Sequence, residues 1–199
     1  LRALMLAVLA LAPVRALAQA AAPNYIELRL AGSADGLYRF AEYSRYFSSG
    51  PVVDLVYIGV PGQNELYAGA GYSLKATPTL TVTPLLYGVF GMENGQRGAA
   101  PALLVVGTVE RWSVSSYLGY FEPFAGTVPR YVFVDSLDLA RKVGRYEVGA
   151  SAGLFHAEEG DWSWLAGPVL VRNDARGAWR LALRAGSAPE VRLVRTLSF

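Results

Sequence analysis

Cysteine is absent from the 199 residues, which removes disulfides and thiolate chemistry. Histidine occurs once, at His156, too few for a conventional zinc site. Charge is sparse, at 17% against 53% hydrophobic residues, and that balance excludes a disordered chain. Helical periodicity is also scarce. DSLDLARKVG, from Asp135 to Gly144, is the one fair helical stretch, and it reads equally as a turn or part of a strand. Beyond the first twenty residues the longest apolar run, AAPALLVVGTV, carries Pro101 and Gly107 and is too broken for a spanning helix. A phosphate-cradling loop is missing too. GMENGQRG and GAGYS both lack the strand-to-helix context, so no nucleotide cofactor, and no cofactor of any kind, is implied.

What is present begins with LRALMLAVLALAPVRALAQA. Arg2, an apolar run from Ala3 to Pro13 and a small-residue site ending at Ala20 have the layout of a secretory signal peptide over residues 1–20. Residues 21–199 then form a single domain. Removing the leader takes away Arg2 and Arg15 and leaves 16 basic residues against 16 acidic ones. The net positive charge of the whole chain is therefore no argument for a nucleic-acid partner.

Period-two alternation dominates the rest. It predicts strands over 24–32, 37–47, 52–60, 64–75, 79–90, 101–110, 112–121, 130–136, 144–156, 162–172, 177–185 and 190–199. Ten strands are nearly as good a count as twelve. Between them lie Gly-, Asn-, Asp- and Pro-rich turns such as GSADG, PGQN and RNDARG. Pro84 falls inside a strand, where its missing donor predicts a bulge. One face of each strand is apolar and the other is small, polar or charged. Ile26, Leu28 and Leu30 oppose Glu27 and Arg29, and Trp179, Leu181 and Leu183 oppose Arg180 and Arg184. Strands near ten residues match a tilted bilayer span. Short turns make neighbours antiparallel, and a hydrocarbon environment requires such a sheet to close. The fold class expected is all-β, a closed antiparallel up-and-down transmembrane β-barrel. A soluble sandwich with an aromatic core is the competing reading. Trp112, Trp162, Trp164, Trp179, Tyr25, Tyr46, Tyr57, Tyr87 and Tyr120 fall mostly near strand ends, as interfacial girdles do.

The chain ends on VRLVRTLSF, in which Val191, Leu193, Leu197 and Phe199 share a face and Arg195 interrupts it. A leader, an antiparallel meander and a closing strand with a terminal aromatic resemble the bacterial outer-membrane β-barrel proteins. That resemblance implies an outer-membrane location, contact with outer-membrane lipids and a terminal strand read by the barrel-assembly machinery. It is a resemblance of class and selects no family. Arg195 departs from the pattern and is expected to snorkel near an interface.

The function expected of such a barrel is a narrow passive channel for small solutes. A non-conducting structural or partner-binding barrel is the alternative, and a lipid-modifying enzyme is a third. The candidate lumen-lining charges are Glu27, Arg29, Asp54, Glu65, Lys75, Arg145, Glu147, Arg180, Arg184 and Arg192, with Arg39 and Arg111 also considered. Arg180, Arg184 and Arg192 would form a positive strip favouring anions, or inward Arg and Glu would pair and plug the lumen. For catalysis the one anchor is LFHAEEGDW, where His156, Glu158 and Asp161 lie near Ser151 and Ser163. Alternation puts His156 on the face of Leu154 and Ala152. The His-x-Ser pattern of barrel deacylases is missing, since position 158 is Glu. No catalytic residue and no metal ligand is assigned. Glu158, Glu159 and Asp161 read as an acidic surface turn rather than a cation site.

Overall fold

A computed structural model describes residues 24–34 and 36–199. The expected leader, residues 1–20, lies outside them. Thirteen strand segments follow one another: β1 (Asn24–Ser33), β2 (Gly36–Tyr46), β3 (Pro51–Val60), β4 (Gln63–Tyr72), β5 (Leu74–Thr77), β6 (Leu80–Gly91), β7 (Arg97–Val109), β8 (Trp112–Ala125), β9 (Tyr131–Val143), β10 (Tyr146–Ala157), β11 (Ser163–Asp174), β12 (Gly177–Gly186) and β13 (Glu190–Ser198). Sequence neighbours pair antiparallel except β4 and β5, which both pair with β6, and β1 pairs with β13. The sheet is therefore closed. β4 and β5 are two halves of one stave, so the barrel has twelve.

The interruption between those halves has a cause on β6. Continuing the β4–β6 register sets Tyr72 opposite Pro84, which has no N–H to give. The ladder stops at Gly71↔Leu85 and resumes at Leu74↔Val82. The Ser73 amide turns to the Gly50 carbonyl instead, at 2.8 Å. The disturbance expected at Pro84 thus falls on the partner strand, while the β6–β7 register runs through Pro84 without a shift.

Closure also holds the terminus. Asn24 N–H donates to the Phe199 carbonyl at 2.7 Å and Phe199 N–H donates back to Asn24 at 3.0 Å. No unpaired edge is left at the seam. The stretch 135–144, which reads as helix, turn or strand in the sequence, is strand as far as Val143; it belongs to β9, where Leu137 and Leu139 point out and Asp138 and Ala140 point in. Propensity loses there to two ladders, with β8 and β10.

The outward face carries Leu28, Leu30, Leu55, Leu86, Leu170, Leu181, Leu183 and Leu193, all exposed. So continuous an apolar surface suits hydrocarbon rather than water. Trp112 and Trp179 flank it at the end where the chain termini meet, and Trp162 and Trp164 at the other. Tyr87 is not a girdle residue: it is 1% exposed and lies inside. Inward glycines make room for such rings. A Cβ on Gly69 would lie 2.9 Å from Cε1 of Tyr87, and one on Gly119 would lie 2.8 Å from Cε1 of Phe133.

Candidate functional site

Two chambers lie in the interior formed by the described residues. The larger, about 580 Å³, is bounded by Val128, Pro129 and Ala188 from the connections at one end. The smaller, about 300 Å³, lies towards the chain termini and is lined by Tyr25, Ser44, Tyr46 and Thr196. Phe40, Val56 and Tyr117 line both.

Between the chambers an ion-pair cluster crosses the barrel. Arg29 of β1 reaches Asp135 of β9 at 2.5 Å and Glu27 at 2.6 Å, and its guanidinium lies 4.2 Å above the Phe40 ring. β1 and β9 are five staves apart in a ring of twelve, so this bridge spans the lumen. Arg192 of β13 joins Asp135 at 3.1 Å and Glu190 at 2.8 Å. Arg184 of β12 pairs with Glu190 and donates to the Asp135 backbone carbonyl at 2.9 Å. Three arginines thus meet three carboxylates, Glu27, Asp135 and Glu190. Arg184 is only 3% exposed. Arg180 makes a second crossing, to Asp138 of β9 at 2.5 Å.

Asp135 was not singled out from the sequence, and a bulge explains why. Tyr117 pairs with Ser136 but Leu118 pairs with Val134, so Asp135 is the extra residue of β9. The bulge turns Asp135 and Ser136 to the same side, where each lines a chamber. The sequence does carry a trace of it. Apolar residues at alternate positions run Val132, Val134 and then Leu137, Leu139, a change of phase.

Glu42, Asp54, Glu65 and Glu147 have neutral partners. Tyr87 donates to Asp54 at 2.5 Å, and the Ser44 hydroxyl lies 2.7 Å from Asp54 and 2.9 Å from Glu42. Glu65 accepts from Tyr67 and Gln63, each at 2.7 Å, and the Tyr67 oxygen lies 2.9 Å from that of Tyr131. Glu147 sits near the end of the barrel at the chain termini and accepts from Ser113 at 2.5 Å and Asn173 at 2.8 Å. Lys75 is exposed on β5. Arg145 lies in the turn between β9 and β10, its guanidinium over Tyr146, because β10 begins two residues later than alternation suggested. Arg39 is exposed on the face of Leu37 and Tyr43, and Arg111 lies in the turn between β7 and β8.

His156 stacks on Trp162 with ring centroids 4.4 Å apart. Ser163 pairs opposite Phe155 and points inward, so it lies on the other face of the wall from His156. Glu158 pairs with Arg130 at 3.2 Å and Asp161 is exposed in the connection. Among the described residues no three His, Cys, Asp or Glu side chains converge as a metal site would. Val191, Leu193 and Phe199 are exposed on the outer wall, and Leu197 shares their face. Arg195, on that face, pairs with Asp174 at 2.6 Å and lies over the Trp179 ring.

No protein-family model matches the chain, and no curated protein matches it by sequence. Solved structures do match by shape. KdgM porin in complex with disordered oligogalacturonate superposes with a TM-score of 0.68 at 15% identity, over 88% of this chain and 99% of that one. NanC porin gives 0.64 at 9% identity, over 87% and 99%. The Acinetobacter baumannii outer membrane protein Omp33 gives 0.56 at 14% identity, over 89% and 98%. The chain folds as a twelve-stranded closed antiparallel barrel resembling known bacterial outer-membrane porins.

Proposed function

We propose that this barrel is a narrow outer-membrane channel through which small solutes pass from the larger chamber, across the waist at Arg29 and Asp135, into the smaller one. The observation that carries the reading is the pair of chambers lined in common by Phe40, Val56 and Tyr117. The apolar band takes the outer-membrane lipids, and Val191, Leu193, Leu197 and Phe199 present the strand that the assembly machinery would read. Connections 92–96, 126–130 and 158–162 are the longest and share one end, whereas 110–111, 144–145 and 175–176 at the other have two residues each. Long connections face outward in such barrels, so the larger chamber opens to the cell exterior.

The charge balance argues against strong anion selection. Arg180, Arg184 and Arg192 are each matched by a carboxylate, while Glu42, Asp54 and Glu65 are held by neutral groups. Among the described residues, the oligogalacturonate in complex with KdgM would find no arginine of the waist without a carboxylate. A weak cation preference follows.

The test is single-channel recording of the refolded chain in a planar bilayer. Small discrete steps with a cation-leaning reversal potential support the channel. The cross-lumen ion pairs favour a second reading, a barrel that is plugged and serves as structure or for partner binding. Insertion of a folded barrel that never conducts, with conductance appearing only after Asp135→Ala, would establish that second reading and overturn the first.

A further inference from the structure

We infer that the larger chamber is a binding site for a small, uncharged, planar solute, of the chemical class of phenols and indoles. It stands whether or not solute crosses the waist. The volume, about 580 Å³, is that of a small-molecule site. Its wall is built around one ring. Tyr131 stacks on Phe121 at 5.0 Å between centroids and packs against Phe155 at 5.3 Å and Phe133 at 6.0 Å. Tyr131, Phe133 and Phe155 line the cavity, with Phe40 and Ile58 also on its wall. A flat aromatic solute gains stacking contacts on such a surface.

The polar groups decide the ligand class. The charged groups that reach the chamber, Glu65, Asp135, Arg184 and Arg192, are already held by partners. Glu65 accepts two hydrogen bonds, from Tyr67 and Gln63, and Tyr67 meets Tyr131. Arg184 is held by Glu190 and the Asp135 carbonyl, and Arg192 by Glu190 and Asp135. A sugar brings many hydroxyls, and each one left without a free partner costs its desolvation. An anionic sugar also meets Glu65, which no cation offsets. A solute with one polar group and a flat apolar body carries neither penalty.

The experiment uses the refolded chain in lipid nanodiscs, with empty nanodiscs run in parallel to measure partitioning into lipid alone. Indole, glucose and digalacturonate are titrated separately and followed by saturation-transfer difference NMR. The expected result is saturable indole binding above that of empty nanodiscs, and none for either sugar. Ile58→Trp, which fills the chamber, is expected to weaken indole at least tenfold. Tyr131→Leu, which removes the central ring, should do the same. Folding of each variant is checked by its heat-modifiable migration on a gel. Indole signal equal to that of empty nanodiscs, indole binding indifferent to both folded variants, or tighter binding of digalacturonate would overturn the assignment. Indole binding by a barrel that never conducts would sink the channel and leave this site standing. Conduction without indole binding would do the reverse.

Discussion

Asp135→Ala tests the waist most directly. The change removes one of three carboxylates and leaves Arg29 and Arg192 without their shared partner. Arg29 keeps Glu27 and Arg192 keeps Glu190, so neither cation is stripped entirely. Breaking a buried pair by deleting one partner costs about 3–5 kcal/mol. The lumen allows water to reach the freed guanidinium, which places the expected loss at the low end, about 3 kcal/mol. Urea unfolding of the refolded barrel, followed by tryptophan fluorescence, reads that loss. The waist also changes from three positive against three negative groups to three against two. Conductance should rise as the cross-lumen bridge is lost, and the reversal potential should move towards anions. The double variant Arg29→Met with Asp135→Leu restores the charge count to two against two but takes from Glu27 its arginine, so it should recover little of the stability. Unfolding within about 0.5 kcal/mol of the parent, as for an ordinary surface change, together with an unmoved reversal potential would refute the waist as drawn.

Three further outcomes follow from the same geometry. Leu181→Arg places a charge midway along the lipid face and should cost about 2–4 kcal/mol in lipid; equal unfolding midpoints in lipid vesicles would deny that this face meets hydrocarbon. Gly119→Ala pushes a methyl to 2.8 Å from Cε1 of Phe133, and a loss of about 1–3 kcal/mol is expected from overpacking; stability equal to or above the parent would mean the ring is not seated there. Phe199→Ala keeps the two backbone bonds to Asn24, which involve no side chain. Refolding in detergent should therefore be unchanged while the amount assembled in cells falls; equal losses in both assays would reduce Phe199 to a structural residue.

The staves were legible because alternation depends on one strand at a time. Leu28 and Leu30 must oppose Glu27 and Arg29 whatever the neighbours are. The partners of those charges were not legible, because they come from across the ring: Arg29 meets a residue 106 positions later. Asp135 was hidden by a second effect. In a regular β9, Asp135 and Asp138 would face opposite sides, since their spacing is odd. One of them would then point a charge into lipid. The single extra residue removes that conflict and lets the strand present Leu137 and Leu139 outward while Asp135 answers Arg29 and Arg192, and Asp138 answers Arg180. The bulge is therefore a requirement of charge matching in a two-sided wall, and the phase change between Val134 and Leu137 is the mark it leaves in the sequence.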